Sequence, residues 1–432
     1  MEANEANGVN EIKEPQQPEV RRVNEVKEPQ QPVIRQRVPL VAFLIGNVIS
    51  YVGDILTLLA IPWFVLQSTG SVTQTGITAF CSELSLVLSS FLSTRLVDRL
   101  GYKYTSVLGD ILSGVTVALI PLLYHTIGLA FWQLLVLVFL GGLLKSPGVT
   151  ARSALAPELA QVAGMRLEMV NSLSDGITRV SRFIGAPLAG ILIVIIGTSN
   201  LLWLDGLSFA FSALLIGLLV PTAPIVSETA EESVGYFAEL GAGLRFIRRD
   251  SLIFSILLVG IVTNMVDAAW ASVVAPTYFL QIFHNPIFLG ISMAALGGAA
   301  FVGTLLFGLF GHRLPRRLTF GIGYTVGGAL RFWVYLLRSF PLIVVWNTIG
   351  GLAISPINPL ADTMLQERTP PQMRARVFGT LGALMMAAVP LGAFASGFVI
   401  AWLGLSFTLA LMGALYLVST LTLLFNPALK KL

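Results

Sequence analysis

Residues 222–250, TAPIVSETAEESVGYFAELGAGLRFIRRD, form the longest polar connection between Val38 and Phe425. Glu228, Glu231, Glu232 and Glu239 come first, followed by the basic cluster Arg245, Arg248 and Arg249. Such a stretch cannot sit in hydrocarbon, whereas the chain on either side consists of long apolar runs divided by short Gly, Pro or charged breaks. A membrane-crossing helix needs about 20 mostly apolar residues to span a core of roughly 30 Å. By that measure helices are predicted near 39–67, 74–96, 104–125, 128–150, 168–197 and 201–221 before the connection. Six more follow it, near 251–280, 287–311, 318–338, 341–362, 373–402 and 404–425. The expected fold is an all-α membrane protein, twelve transmembrane helices in two six-helix bundles. Composition agrees: 55% of the residues are hydrophobic and 12% charged, where soluble domains carry roughly 25% charged residues. Mean hydropathy is +0.80.

The two halves echo each other. Ser146-Pro147, a basic loop and Gly185-Ala-Pro187 in the first recur in the second as Ser355-Pro356, Arg374-Ala-Arg376 and Pro390-Leu-Gly392. Duplicated halves of this kind place a substrate site between them near the bilayer midplane. The expected organisation is therefore a cytoplasmic tail over 1–37, an N-terminal bundle over 38–221, the connection over 222–250 and a C-terminal bundle over 251–432. The tail is rich in Glu, Gln, Pro and Asn, contains the near-duplicates Val9–Pro18 and Val23–Pro32, and reads as disordered. It has no signal-peptide pattern.

Basic residues gather in alternate connections: Arg95, Arg99 and Lys103; Arg152 and Arg166; Arg245, Arg248 and Arg249; Arg313, Arg316 and Arg317; Arg368, Arg374 and Arg376. By the positive-inside rule both termini are expected in the cytoplasm, as an even number of spans requires. The same rule explains the net charge of +4, so nucleic-acid binding is not expected; no basic patch with interleaved aromatics is present. The single cysteine, Cys81, excludes an intrachain disulfide. His125, His284 and His312 fall at helix ends or in loops. No metal-ligand pair and no phosphate-cradling loop appears, so neither a cofactor, a metal nor an enzymatic activity is expected.

Asp98-Arg99-Leu-Gly101-Tyr-Lys103 resembles the cytoplasmic loop signature of the major facilitator superfamily, with Thr94 where that signature has Gly. The second-half counterpart, Gly308 to Arg317, has His312 in place of the acid. Gly53-Asp54, Ala60-Ile-Pro62-Trp63, Thr69-Gly70-Ser71, Asp205-Gly-Leu-Ser208-Phe209 and Gly243-Leu-Arg245-Phe-Ile together resemble the macrolide-efflux and enterobactin-exporter branch. Gly185-Ala-Pro187-Leu-Ala-Gly190 resembles the antiporter motif of exporters in that superfamily. The resemblance implies a monomeric secondary transporter in a bacterial cytoplasmic membrane, driven by the proton-motive force and exporting amphipathic small molecules of the macrolide, multidrug or siderophore type. Import or lipid movement on the same fold, and a transport-inactive receptor or scaffold, are the competing readings.

Ionisable groups inside spans are costly, and each is a functional candidate. At 1.5 Å per residue, Asp54 sits about half way along helix 1 and Glu83 at a similar depth in helix 2, so the two are expected to face one cavity. These are the candidates for proton coupling. Asp267 holds the pseudo-equivalent depth in helix 7. On helix 5, Asp175, Arg179 and Arg182 share a stripe that predicts an Asp175–Arg179 pair. Lys145 can snorkel toward the cytoplasm, and Arg331 in helix 9 has no evident partner in sequence; both stand, with Arg179 and Asp267, among the candidates for the proton-coupling or substrate cavity. Asp110, Asp205 and Asp362 are expected near helix ends, as caps or interface contacts. Asp98, Arg99, Gly101 and Lys103 form a candidate cytoplasmic gate whose ion pairs make and break between two states. Gly185, Pro187 and Gly190 form the candidate helix-contact motif, since Pro removes a backbone hydrogen bond and Gly lets backbones approach.

Overall fold

A computed structural model describes residues 33–222 and 236–425. Most of the expected tail and residues 223–235 of the central connection lie outside them, as do the side chains of Asp98 and His312. The first half holds α1 (Val33–Thr69), α2 (Val72–Leu100), α3 (Tyr102–Thr126), α4 (Phe131–Val162), α5 (Leu167–Ile196) and α6 (Thr198–Leu219). A connecting helix, α7 (Tyr236–Arg249), precedes α8 (Ser251–Phe283), α9 (Pro286–Phe310), α10 (316–335), α11 (Phe340–Arg368), α12 (Pro371–Leu403) and α13 (Leu405–Leu424). Ten of these helices among the described residues are long and apolar enough to cross a bilayer, which makes this a multi-pass membrane protein. The two remaining expected spans are helical too: α2 is diluted by Glu83 and its serines and threonines, α10 by glycines and Arg331. An all-helical architecture consistent with twelve spans results.

Successive helices run antiparallel. Arg317 donates to the Leu424 carbonyl at 3.1 Å, and Arg368 reaches Asp250 at 3.0 Å, which places the starts of α8 and α10 and the ends of α11 and α13 at one end. This is the terminal end, where Val33 also lies. At the opposite end His125 of α3 meets Ser199 of α6 at 3.1 Å. The repeat visible in sequence recurs in backbone geometry: α5 turns into α6 at Gly197 (φ 82°, ψ 162°) and α12 into α13 at Gly404 (φ 80°, ψ 164°). That left-handed conformation favours glycine. The central connection is not wholly irregular, because α7 lies against α12, where Glu239 faces Arg376 at 3.6 Å.

Two main seams join the halves, α2 against α12 and α5 against α9, and α8 also touches α1 and α2. Both are tightest away from the terminal end. A Cβ on Gly76 would lie 2.9 Å from Gly397 Cα, and one on Gly190 would lie 2.6 Å from the Pro286 carbonyl oxygen. Toward the terminal end, Cβ atoms on Gly176, Gly379 and Gly382 would meet nothing within 4 Å. The halves therefore touch at one end and part toward the other. Pro187 and Gly190 belong to the α5 side of this contact, with Pro187 Cα facing Gly290, whereas Gly185 backs onto Ile55 of α1 within its own half.

The longer helices also relocate residues. Helix α4 continues twelve residues past the predicted end at 150, so Arg152, expected in a loop, is buried inside it. There it binds Asp110 of α3 and donates to Ser106 at 3.2 Å and Asn47 at 3.4 Å. Asp110 is thus an interface contact, half of a buried ion pair between α3 and α4, rather than a cap.

Candidate functional site

The side chains that matter stand on helix faces made polar one or two residues at a time. On α1, the turn Gly53-Asp54-Ile-Leu-Thr57 interrupts an otherwise apolar helix. Asp54 reaches across to Lys145 of α4, 2.6 Å away, with side-chain exposures of 15% and 31%. Lys145 therefore does not snorkel to the surface. The Asp54 carboxylate within ion-pair reach fixes the direction of its side chain.

This pair borders a cavity of about 180 Å³ lined by α1, α2, α3, α4 and α6, to which, among the described residues, the second half contributes Ser272 of α8. Glu83 of α2 lines the same space, so Asp54 and Glu83 do share one cavity. Its position differs from the expected midplane site between the halves: it lies inside the first bundle. The walls combine Leu58, Ile61, Leu86, Val138 and Phe209 with Thr75, Thr78, Ser82 and Ser113. Three carboxyls, Asp54, Glu83 and Asp205, face one ammonium, so the cavity is suited to binding protons or a cationic group.

Asp205 is the residue that sequence reasoning placed wrongly. It is fully buried in α6, accepts a hydrogen bond from Thr57 of α1 at one oxygen and from Ser208 at the other, 3.1 Å away. Gly53 makes room for it, because a Cβ there would collide with the Asp205 carboxyl and Ser208. The signal was present: Gly53-Asp54 and Asp205-Gly-Leu-Ser208 face each other across one helix contact.

In the second half Asp267 of α8 pairs with Arg331 of α10 at 2.9 Å and accepts from the Tyr416 hydroxyl of α13 at 2.5 Å. Arg331 thus has a partner, and its guanidinium also lies 4.6 Å from the Phe332 ring centre. Its side chain is 4% exposed against 45% for Asp267. Neither residue joins Asp54 and Glu83 in the enclosed cavity. The symmetry is partial, since the first-half cation stands on the fourth helix and the second-half cation on the third of its bundle. On α5, Asp175, Arg179 and Arg182 are exposed, and among the described residues no ion pair joins Asp175 to Arg179. In the loop motif Gly101 takes φ 75° between α2 and α3, and no ion pair among the described residues includes Arg99 or Lys103. Among the described residues no group of His, Cys, Asp or Glu is arranged to hold a metal.

Comparison with known proteins places this geometry. A sequence profile described as Major Facilitator Superfamily matches residues 43–303 and 257–431. Multidrug efflux pump Tap of Mycobacterium tuberculosis is 28% identical over 399 residues, covering 92% of this chain and 95% of that protein. Macrolide efflux protein A of Streptococcus pyogenes is 21% identical over 379 residues, covering 86% and 91%. Among solved structures, the nucleoside transporter NupG superposes with a TM-score of 0.72 at 14% identity, covering 91% of this chain and 99% of that one. A bacterial homologue of the iron transporter ferroportin in its inward-facing state gives 0.68 at 14%, covering 92% and 100%.

Proposed function

Since this chain belongs to the Major Facilitator Superfamily, we propose that it is an exporter of amphipathic small molecules, of the macrolide or multidrug kind, working by proton antiport across a bacterial cytoplasmic membrane. The observation that carries this reading is the set of carboxyls and the Lys145 ammonium enclosed in the first bundle. Charges inside a bilayer are retained at a cost and mark ion or substrate paths. Similarity over most of their length to Tap and to macrolide efflux protein A supports export and drug-like cargo.

Alternating access is the working cycle. With both termini cytoplasmic, as the basic connections argue, the parted end of the bundle faces the cytoplasm and the closed seams face outward. Cargo enters from the cytoplasm or inner leaflet, the halves rock about the seams, and protons return as cargo leaves. Arg99, Lys103 and Asp98 belong to the end that must close in the outward-open state. The protein acts as a monomer, with protons and the lipid bilayer as its other partners.

The test is efflux from proteoliposomes with an imposed pH gradient, using erythromycin and ethidium as probes. Asp54→Asn removes the carboxylate that holds Lys145 and is expected to reduce gradient-driven efflux at least tenfold. Glu83→Gln, whose carboxyl has no cation partner among the described residues, is expected to give a smaller loss. Full coupling in both variants removes the assignment of these residues; a wild-type protein that moves neither probe removes drug export.

A further inference from the structure

The acids inside the helix bundles divide into two sorts. Asp54, Asp110 and Asp267 each have a Lys or Arg within ion-pair distance. Asp205 and Glu83 have none among the described residues, and of these five acids Asp205 is the most deeply buried. Its two oxygens instead meet the Thr57 and Ser208 hydroxyls. A hydroxyl both donates and accepts, so this cradle satisfies an ionised carboxylate and a neutral carboxylic acid alike. An ammonium or guanidinium cannot do that. The surroundings thus tolerate a change of protonation state without leaving an orphaned polar group, which buried sites otherwise penalise.

Position adds the second argument. Asp205 borders the same cavity as Asp54, Glu83 and Lys145, and it is wedged against the α1 turn that runs from Gly53 to Thr57. The charged or titratable groups facing it are Asp54 from α1, Glu83 from α2 and Lys145 from α4, all on the cavity wall. From α3, Asp110 is already paired with Arg152, and His125 lies away at the Ser199 end. From α5, Asp175, Arg179 and Arg182 are exposed. Asp205 is the sole charged residue of α6 itself.

We propose that Asp205 is the resident site of the transported proton, and that the Asp54–Lys145 ion pair is the element that responds to its loss. This rests on the antiport reading above and names its proton carrier. With the proton bound, Asp205 is neutral and Lys145 belongs to Asp54 alone. When the proton leaves to water on the side the cavity faces, the new carboxylate, which stands between Gly53 and Thr57 on the Asp54 turn of α1, competes for the ammonium. Lys145 is then shared, the α1–α4 clasp loosens, and the cavity gains a negative charge available to incoming cargo. Cargo binding and proton occupancy become mutually exclusive, which is what antiport requires.

Infrared difference spectroscopy of the full chain in lipid vesicles, taken between acid and alkaline buffer, tests this without any cargo. The expected result is a protonated-carboxyl band that titrates in the wild type, is missing in Asp205→Asn, and is displaced rather than lost in Asp205→Glu. Lys145→Met should shift its midpoint, because the competing charge is gone. In proteoliposomes Asp205→Asn should reduce pH-gradient-driven ethidium efflux at least tenfold and flatten the pH profile of ethidium exchange. A titrating band unchanged in both Asp205 variants, or none in the wild type, overturns the proposal. A wild type that shows the Asp205 band yet moves neither ethidium nor erythromycin overturns drug export and leaves the proton site standing.

Discussion

Arg152→Ala is expected to destabilise the folded protein by about 3–5 kcal/mol, the range for removing one partner of a buried ion pair. Side-chain exposures of 6% and 4% for Arg152 and Asp110 leave no route for water to solvate the carboxylate left behind. The guanidinium also ties three helices together, through Asn47 on α1, Ser106 and Asp110 on α3, and its own position on α4. Its removal therefore abandons an acid, a hydroxyl and an amide in the bundle interior. Thermal unfolding of purified protein in detergent, followed by the fraction that stays monodisperse, measures the loss. Arg166→Ala is the control: its pair with Glu168 is 85% and 76% exposed, and such surface pairs contribute about 0–1 kcal/mol. The double substitution Asp110→Ala with Arg152→Ala should recover part of the stability, because no lone charge remains. A single variant as stable as the Arg166→Ala control would mean that the pair holds nothing together.

Arg152 also shows where the sequence is legible and where it is not. Apolar run length reveals spans because the bilayer imposes it, and the depth of Asp54 and Glu83 follows from helical rise once the spans are drawn. Ends are another matter. Placing the end of helix 4 at 150 instead of Val162 puts Arg152 in a loop. Placing the start of helix 6 at 201 instead of Thr198 makes Asp205 look like an end residue. Three residues are most of a turn, enough to change what a carboxylate is for. Partnerships across the fold are less legible still. Arg331 meets Asp267 from 64 positions away in the chain, and no local spacing encodes that. The Asp175–Arg179 spacing is right for a pair on one helix, yet both side chains are exposed, where a surface pair competes poorly with water.

Gly190→Val is expected to reduce transport at least tenfold in a protein that still folds and inserts. A Cβ at this position would stand 2.6 Å from the Pro286 carbonyl oxygen and 3.0 Å from Ile287 Cα. Reciprocally, one on Gly290 would lie 2.5 Å from the Ala186 carbonyl oxygen and 2.9 Å from Pro187 Cα. These are backbone atoms and cannot rotate away, so α5 and α9 must separate, at an overpacking cost of about 1–3 kcal/mol. That cost falls only on the state in which the ends away from the termini are closed. A state-specific penalty shifts a two-state equilibrium by its full amount, roughly 5–150-fold for that range. In the alternating-access cycle proposed above, the variant should therefore dwell with those ends apart and bind cargo poorly from the terminal side. Spin labels on Asn200→Cys and Arg338→Cys, in a Cys81→Ser background, report the distance between the two halves at that end. The expected result is a shift to longer distances in Gly190→Val, and none in Gly176→Val, where an added Cβ would meet nothing within 4 Å. An unchanged distance distribution combined with lost transport would mean that the small residues of α5 serve some purpose other than closing this seam.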